Sequence, residues 1–169
     1  MHSWVAKKQL RLIEQAAEKD QPKAIACYGL DMRKQEEEAV WIRFVAGNPN
    51  SSKTIEFLKW ALEKTDEKGI SVLLMLWDHA SWHKSKMASK WISTHNQSVK
   101  KSGQGTRLLA VLLPKKSPWL NPIEPRWIHA KRKIMEPDRK LSIEEIQERV
   151  YRVFQQPPLP IIHISNDEL

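Results

Sequence analysis

Hydrophobic and polar positions along the chain fall into blocks that predict strands and helices. Residues 24–30 form a short apolar run, and residues 39–46 combine alternation with β-branched and aromatic side chains, so both segments are predicted to be strands. Residues 51–67 carry apolar side chains at helical spacing, begin with two serines and stop before a glycine, so they are predicted to form a helix.

The rest of the chain continues this alternation with longer apolar runs. Residues 70–77 and 107–113 are continuous apolar runs, which are typical of strands buried on both faces under covering helices. Residues 81–99 predict a lysine-rich helix, and residues 121–135 predict another that opens at an Asn-Pro pair. A last helix begins with a capping box at residues 142–145. This order predicts an α/β fold with a mixed sheet.

Length and composition are those of one globular domain. With 169 residues, 41% of them hydrophobic and 28% charged, the chain can bury a real core. We expect an N-terminal extension over residues 1–23, the core over residues 24–155 and a C-terminal tail over residues 156–169. No apolar run approaches the ~18 residues of a membrane span, and no secretory signal opens the chain. Cys27 is the single cysteine, so an internal disulfide is excluded and a cytoplasmic location is expected.

Positive charge is concentrated in one region of the chain. The whole chain carries a net charge of +8, but residues 84–140 contain 14 Lys/Arg and 3 Asp/Glu, a local net charge of +11. A basic region on an otherwise mildly acidic chain indicates either a polyanionic partner, most often nucleic acid, or a plain solvated surface. Charge alone leaves both interpretations open.

Asp78 comes directly after the apolar run 70–77, at the carboxyl end of a predicted strand. In open α/β sheets the functional crevice lies outside the carboxyl ends of the strands, where a carboxylate is well placed to hold a metal ion. The alternative is that Asp78 only caps the helix that follows.

Glu124 stands at the start of another predicted helix. With Asn121 as N-cap and Pro122 at the first helical position, Glu124 falls at the third, which resembles a capping box and explains the acid without catalysis. The proline-rich segment 113–122, however, leaves the chain little conformational freedom, and such rigidity suits a side chain that must be aimed.

Together the two acids predict a metal site. Each follows a predicted strand in successive strand–helix units, so Asp78 and Glu124 are expected to converge at one side of the sheet. Two or three carboxylates there form an oxygen site that suits Mg²⁺, and surrounding lysines and arginines would attract a phosphate backbone. Two metal ions could then activate a hydroxyl and stabilise the leaving oxygen of phosphoryl transfer on DNA or RNA.

Histidines and tryptophans near the two acids allow further interpretations. His79 and His83, four residues apart, could form a transition-metal pair on one helical face, but no third ligand stands at a suitable spacing. Trp119 and Trp127 flank Glu124 and could wall the site or stack on a base, although packing is the simpler role. These residues alone do not identify a ligand.

Two motifs carry a family resemblance. Residues 73–86, LLMLWDHASWHKSK, and residues 112–133, LLPKKSPWLNPIEPRWIHAKRK, resemble the catalytic core of DDE transposases in the insertion-sequence branch of the mariner-like superfamily. The resemblance implies a ribonuclease-H-like fold that cleaves and joins DNA by two-metal phosphoryl transfer, with Mg²⁺ or Mn²⁺ as cofactor.

The resemblance also implies roles for individual residues. By motif, Asp78 matches the second acid of the catalytic triad, Glu124 the third and His83 the family histidine, whereas His79 stands where the family usually has Asn. The residues expected to contact DNA are His83, Lys84, Lys115, Lys116, Asn121, Arg126, Lys131 and Arg132. The expected partners are transposon-end DNA and either further copies of the chain or a complementing transposase chain.

The first acid of the family's catalytic triad has no match in this sequence. The family carries it on the first strand, usually in an Asp-Glu pair, upstream of the segment that resembles residues 1–5, and no such pair occurs near this N-terminus. Asp31 follows the strand predicted over residues 24–30 but does not match the family position. We therefore expect a C-terminal piece of a transposase, whose gene is split or decayed or whose front half a partner chain supplies.

In the family the first strand is central to the sheet. Its absence would leave unsatisfied backbone edges on the strands predicted at residues 24–30 and 70–77. We therefore expect an unstable monomer or one that fills the gap by association, and a catalytic domain that is inactive alone. The alternatives are a non-catalytic DNA-binding remnant that modulates full-length transposase, and a nuclease that uses a third acid from another chain.

Overall fold

The computed structural model describes residues 25–34, 37–115, 117–136, 139 and 141–164. Its elements in chain order are β1 (Ile25–Lys34), β2 (Glu37–Ala46), α1 (Ser51–Glu67), β3 (Val72–Trp77), α2 (Lys86–Ser102), β4 (Arg107–Leu112), a short 3-10 helix (Pro118–Leu120), α3 (Ile123–Ile134) and α4 (Ile143–Val153). The predicted α/β class is confirmed, because small sheets flanked by helices form the fold, in agreement with a ribonuclease-H-like domain. The N-terminal extension predicted at residues 1–23 lies outside the described residues.

Strands β1 and β2 form an antiparallel pair with helices on both faces. Cys27 is opposite Phe44 in the register, and both contribute to the face on which α3 and α4 lie. On that face the buried Phe44 ring meets Tyr151 of α4 edge to face, with ring centroids 5.4 Å apart. On the other face Tyr28 stacks on Phe57 of α1, with ring centroids 5.2 Å apart. Successive side chains of each strand point to opposite faces of the pair, so the two faces belong to two separate apolar clusters.

The parallel pair of β3 and β4 is buried on one face only, so the prediction of two buried faces is wrong. Leu73, Met75 and Trp77 pack against α1 and α2 and are at most 7% exposed. On the opposite face Leu74 is 59% exposed, and within β4 only Leu108 is buried. The two helices lie on the same side of this pair, and no helix in the described ranges buries the other side.

The outer edges of the two strand pairs are covered in part by groups of the chain itself. Along β4, the Leu108 N–H donates to Asn96 Oδ1 at 2.9 Å, and Asn96 Nδ2 donates to the Leu108 carbonyl at 2.8 Å. Along β2, the Ala46 N–H donates to the Ile162 carbonyl and the Ile162 N–H donates to the Phe44 carbonyl, both at 3.0 Å. The remaining edges, those of β1 and β3, border the cavity described below.

Two helices begin where the sequence pattern predicts. The α1 helix spans Ser51–Glu67, as predicted, with Asn50 as its N-cap. The α4 helix begins with the predicted capping box, because the Ser142 hydroxyl accepts from the Glu145 N–H at 3.2 Å and the Glu145 carboxylate accepts from the Ser142 N–H at 2.9 Å. Both helix starts are stabilised by hydrogen bonds between residues that are close in the sequence, so the residue types alone indicate them.

Two other helices begin later than predicted. The α2 helix begins at Lys86 instead of residue 81, because Ser85 is its N-cap and the preceding residues form a loop. The α3 helix begins at Ile123 with Pro122 in the cap position, so Asn121 is not the N-cap. Pro122 has helical backbone angles, φ −61° and ψ −21°, which a proline adopts readily.

Burial makes the single cysteine unreactive. It raises the pKa of the Cys27 thiol from 9.0 to about 12. Because the thiolate is the reactive form, we expect iodoacetamide at pH 8 to alkylate the folded protein about 1000-fold more slowly than the urea-unfolded protein. Mass spectrometry of the two samples measures the ratio, and similar rates in both would contradict the burial of the thiol.

Candidate active site

A cavity of about 680 Å³ separates the edge of β1 from the edge of β3. It is lined by consecutive residues of both strand segments, 27–33 and 69–78, and by residues of α1 and α3. Consecutive strand residues point to opposite faces of a sheet, so a cavity that touches all of them runs along the backbone edges. We call this cavity the inter-sheet groove.

Asp78 lies directly after β3 and lines the inter-sheet groove with a half-exposed side chain. Its Oδ1 accepts hydrogen bonds from the Ala80 N–H at 2.9 Å and from His83 Nδ1 at 2.8 Å. Asp78 therefore orders the loop before α2, whereas Ser85 caps that helix. The alternative interpretation of Asp78 as a helix N-cap is wrong.

His83 is held between Asp78 and Trp77. Its ring stacks on Trp77, with ring centroids 4.8 Å apart. Burial lowers the pKa of His83, and the neighbouring Asp78 carboxylate opposes that shift. The imidazole is therefore neutral at neutral pH. A carboxylate can only accept hydrogen bonds, so Nδ1 carries the proton and Nε2 is left as a proton acceptor.

Glu124 lies in the first turn of α3 and lines the same groove with a half-buried side chain. Its N–H donates to the Asn121 carbonyl at 3.1 Å. The position of α3 depends on Gly29 of β1, where a Cβ atom would lie 2.5 Å from Trp127 Cζ2 and 2.9 Å from Ile123 Cδ1. A residue without a side chain lets α3 approach the strand closely enough to bring Glu124 to the groove.

His79 ties the ends of β3 and β4 together, a role that sequence reasoning missed. Its Nε2–H donates to the Leu113 carbonyl at 2.6 Å, and the Leu113 N–H donates to the Trp77 carbonyl at 2.7 Å. His79 and His83 both lie in the loop before α2, so they do not share the helical face that a transition-metal pair would require. No local signal reveals the bond, because its partner is far away in the sequence.

Asp31 also lines the groove, from within β1 and not from after the strand. Its carboxylate is 4% exposed and pairs through Oδ2 with Arg33 at 3.2 Å and Arg126 at 3.8 Å, while its buried Oδ1 has no hydrogen-bond partner in the described part of the chain. Among the described residues, no three or more of His, Cys, Asp and Glu are grouped to hold a metal ion. Asp31 therefore does not complete a three-acid site with Asp78 and Glu124.

The residues predicted to contact DNA lie in different settings. His83 and Asn121 line the groove. Arg126 forms an ion pair with Glu38, with Nη2 2.6 Å from Oε2 of the carboxylate, in addition to its ion pair with Asp31. Those on the exposed surface are Lys84, Lys115, Lys131 and Arg132. Lys116 lies outside the described residues.

The two tryptophans that flank Glu124 differ in their surroundings. Trp127 packs against Phe154 edge to face, with ring centroids 5.3 Å apart, which agrees with the packing role. Trp119 is 74% exposed, so it does not wall the groove. Sequence analysis missed Trp82, which lines the groove beside His83. Its position four residues after Asp78 was the signal that could have found it.

Asp78 and Glu124 fit part of a divalent cation site. Carboxylate oxygens are the ligands that Mg²⁺ and Mn²⁺ prefer, and both side chains border one cavity. No helix in the described ranges is long and apolar enough to cross a membrane. The cytoplasmic location stays a prediction.

The fold and the groove define a mixed α/β protein in which two acids, one after a strand and one at a helix start, border a single cavity. The sequence model for the DDE superfamily endonuclease matches residues 4–147, so the chain belongs to this endonuclease family. Membership supports transposase-like DNA cleavage, and endonucleases of this superfamily generally use divalent metal ions. No curated protein and no solved structure gave a significant match. The predicted DDE resemblance is thus confirmed, while the insertion-sequence branch and the truncation stay predictions.

Proposed function

We propose that the chain is the catalytic-domain portion of a transposase, which cleaves and joins transposon-end DNA by metal-dependent phosphoryl transfer. One observation carries the proposal: the two acids matched by motif, Asp78 and Glu124, line one groove in a chain of the DDE endonuclease family. The proposed cofactor is Mg²⁺ or Mn²⁺.

Asp78 and Glu124 are the proposed metal ligands. Divalent cations bound there would activate the attacking hydroxyl and stabilise the leaving oxygen. The loop after β3 orients the Asp78 carboxylate through His83 and the Ala80 N–H. The close contact of Trp127 with Gly29 sets the position of Glu124. Both acids are therefore oriented before a ligand arrives, which favours tight and specific binding.

The basic region is the proposed DNA contact surface. Exposed lysines and arginines attract the phosphate backbone, and residues 84–140 carry the local charge of +11. Lys84 follows His83 in the loop beside the groove, and Lys131 and Arg132 lie in the last turn of α3. Arg126 would have to leave Glu38 to bind DNA, so its proposed contact is the least direct of the set.

We infer that the 169-residue chain is inactive alone. Asp78 and Glu124 supply two carboxylates, and the described residues do not group a third acid with them. A complementing chain that brings the third acid would complete the ligand set. The branch of the family and the identity of that chain belong to the same proposal.

The test is Mn²⁺ binding, measured by calorimetry, because this measurement does not require activity. We expect Asp78→Asn and Glu124→Gln each to weaken Mn²⁺ binding at least tenfold, since each removes a charged oxygen ligand. Glu63→Gln is the matched control, because Glu63 is an exposed acid of α1 that does not line the groove. Equal Mn²⁺ affinity in all four proteins would refute the metal site.

A second candidate function is a non-catalytic DNA-binding remnant that modulates full-length transposase. The lack of a three-acid group among the described residues favours it. Salt-sensitive binding to transposon-end DNA that Asp78→Asn and Glu124→Gln leave unchanged would support this candidate. Nicking that depends on Mn²⁺ and is lost in both variants would support the enzyme instead.

A further inference from the structure

The β3 side of the inter-sheet groove carries backbone groups that β4 does not use. The Arg107 N–H donates to the Ser71 carbonyl at 2.9 Å, and the Leu113 N–H donates to the Trp77 carbonyl at 2.7 Å. These bonds fix the parallel ladder, in which alternate residues of β3 face β4. The residues whose N–H and C=O groups point away from β4, toward the groove, are therefore Val72, Leu74 and Leu76.

Strand β1 likewise has backbone groups that its partner strand β2 does not use and that point toward the groove. Ile162 pairs with Phe44 and Ala46 on the outer edge of β2, so the backbone groups of these two residues point away from β1. By the antiparallel register, the residues opposite them point their backbone groups away from β2. The ones that border the groove are Cys27, Gly29, Asp31 and Arg33. Among the described strands, β1 pairs only with β2 and β3 only with β4.

The groove has the size and the walls that suit one added strand. A strand in a sheet is about 4.8 Å wide, 10 Å thick and 3.3 Å long per residue, so a cavity of about 680 Å³ holds roughly four residues. Phe57 and Leu58 of α1 line the groove, and so do Ile123 and Trp127 of α3. A strand bound between these two helices would be covered on both faces. Such strands are continuous apolar runs.

By sequence, residues 1–24 contain no continuous apolar run of this kind. The two continuous apolar runs of the chain already form β3 and β4. In residues 1–24 the longest apolar stretch is the three-residue WVA at 4–6, and the strand-like segment QLRLIEQ at 9–15 would bury the Arg11 guanidinium. Burying an unpaired charge is costly.

We propose that the inter-sheet groove binds an extended apolar segment of a different polypeptide, which adds a strand between β1 and β3. The free N–H and C=O groups on the two sides recognise its backbone, and the apolar walls recognise its side chains. The inference goes beyond the proposed function, because strand binding requires neither metal nor DNA. Its failure would therefore leave the metal site untouched.

The test uses a synthetic peptide, VLLMLW, with two lysines at each end for solubility. The control peptide has proline in place of the third residue, so it lacks one amide donor and cannot form a regular ladder. Amide hydrogen exchange measured by NMR should slow at least tenfold at the seven groove-facing residues named above when the first peptide is added. Exchange at Ala110, on the outer edge of β4, should not change.

Two variants of the full chain sharpen the test. Leu74→Pro removes a groove-facing N–H without removing a bond to β4, and it should weaken peptide binding at least tenfold. Ala110→Pro is the matched control, because it removes an N–H of β4 that faces away from β3, and peptide affinity should be retained. Circular dichroism verifies that both variants are folded, and a spectrum unlike that of the unsubstituted chain would exclude a variant from the comparison.

Four outcomes would overturn the proposal. The first is the absence of peptide binding, and the second is equal binding of the proline peptide, which would indicate non-specific apolar contact. The third is slow exchange of the groove-facing amides in the free monomer, which would show that residues 1–24 fill the groove. The fourth is a dimer, detected by light scattering, whose dissociation exposes those amides, which would make a second copy the occupant.

Discussion

Leu58→Ala should lower the free energy of unfolding by about 2–5 kcal/mol. Leu58 of α1 is fully buried and packs in one cluster with Leu73, Met75 and Leu108 of the β3–β4 pair. Truncation removes these contacts and leaves a cavity that close-packed neighbours fill only in part. Urea denaturation followed by circular dichroism measures the change.

Leu74→Ala is the matched control for this prediction. It changes the same residue type on the neighbouring strand β3, but Leu74 is 59% exposed. Its effect should stay within about 0.5 kcal/mol, as for most surface substitutions. Equal effects of the two substitutions would contradict the burial of β3 on one face only.

Gly29→Ala should destabilise the protein by about 1–3 kcal/mol, the range for overpacking in a core. The new Cβ would lie 2.5 Å from Trp127 Cζ2 and 2.9 Å from Ile123 Cδ1. Phe154 packs against the Trp127 ring and restricts its movement. The α3 helix must then move away from β1 and take Glu124 with it. Urea denaturation should show the loss of stability, and calorimetry a weaker affinity for Mn²⁺.

The same clash can be relieved by a second substitution. Trp127→Leu removes the ring that the new Cβ would meet, so Gly29→Ala should cost less in the Trp127→Leu background than in the unsubstituted chain. The difference between the two costs is the coupling energy of a double-mutant cycle. Full additivity would show that the cost of Gly29→Ala comes from the strand and not from contact with α3.

Local features of the fold could be predicted from the sequence. The helical spacing of Leu58 and Leu62 and the glycine at position 69 predicted the range of α1, and the pair Ser142 and Glu145 predicted the start of α4. These signals consist of neighbouring residues in the chain, so they do not depend on the rest of the fold.

Long-range features could not be predicted in this way. The run at residues 70–77 predicted a strand correctly, but which of its faces is covered depends on where α1 and α2 pack. The late start of α2 follows from a loop in which the Asp78 carboxylate accepts hydrogen bonds from Ala80 and His83. The spacing of apolar residues, which predicts helices, does not predict such bonds.

The candidate site shows the same division. Motif spacing identified Asp78 and Glu124, which line one groove, but their roles as metal ligands stay predictions. The bond from His79 to Leu113 and the contact of Trp127 with Gly29 join residues that are far apart in the sequence. Both features orient the site, and only the folded chain reveals them.

The two hydrogen bonds between the Asn96 side-chain amide and the Leu108 backbone have a consequence for the behaviour of the protein in solution. A sheet with two unpaired edge strands can add further strands at both edges without limit, and the products are fibrils. Here Asn96 occupies the backbone groups of Leu108 on the outer edge of β4, and Ile162 pairs with Phe44 and Ala46 on the outer edge of β2. Part of each outer edge is therefore closed to an incoming strand, and the edges beside the groove are the more open ones. When this protein is mixed with strand-forming peptides, assembly should therefore end at complexes of fixed stoichiometry, and the solution should not become turbid.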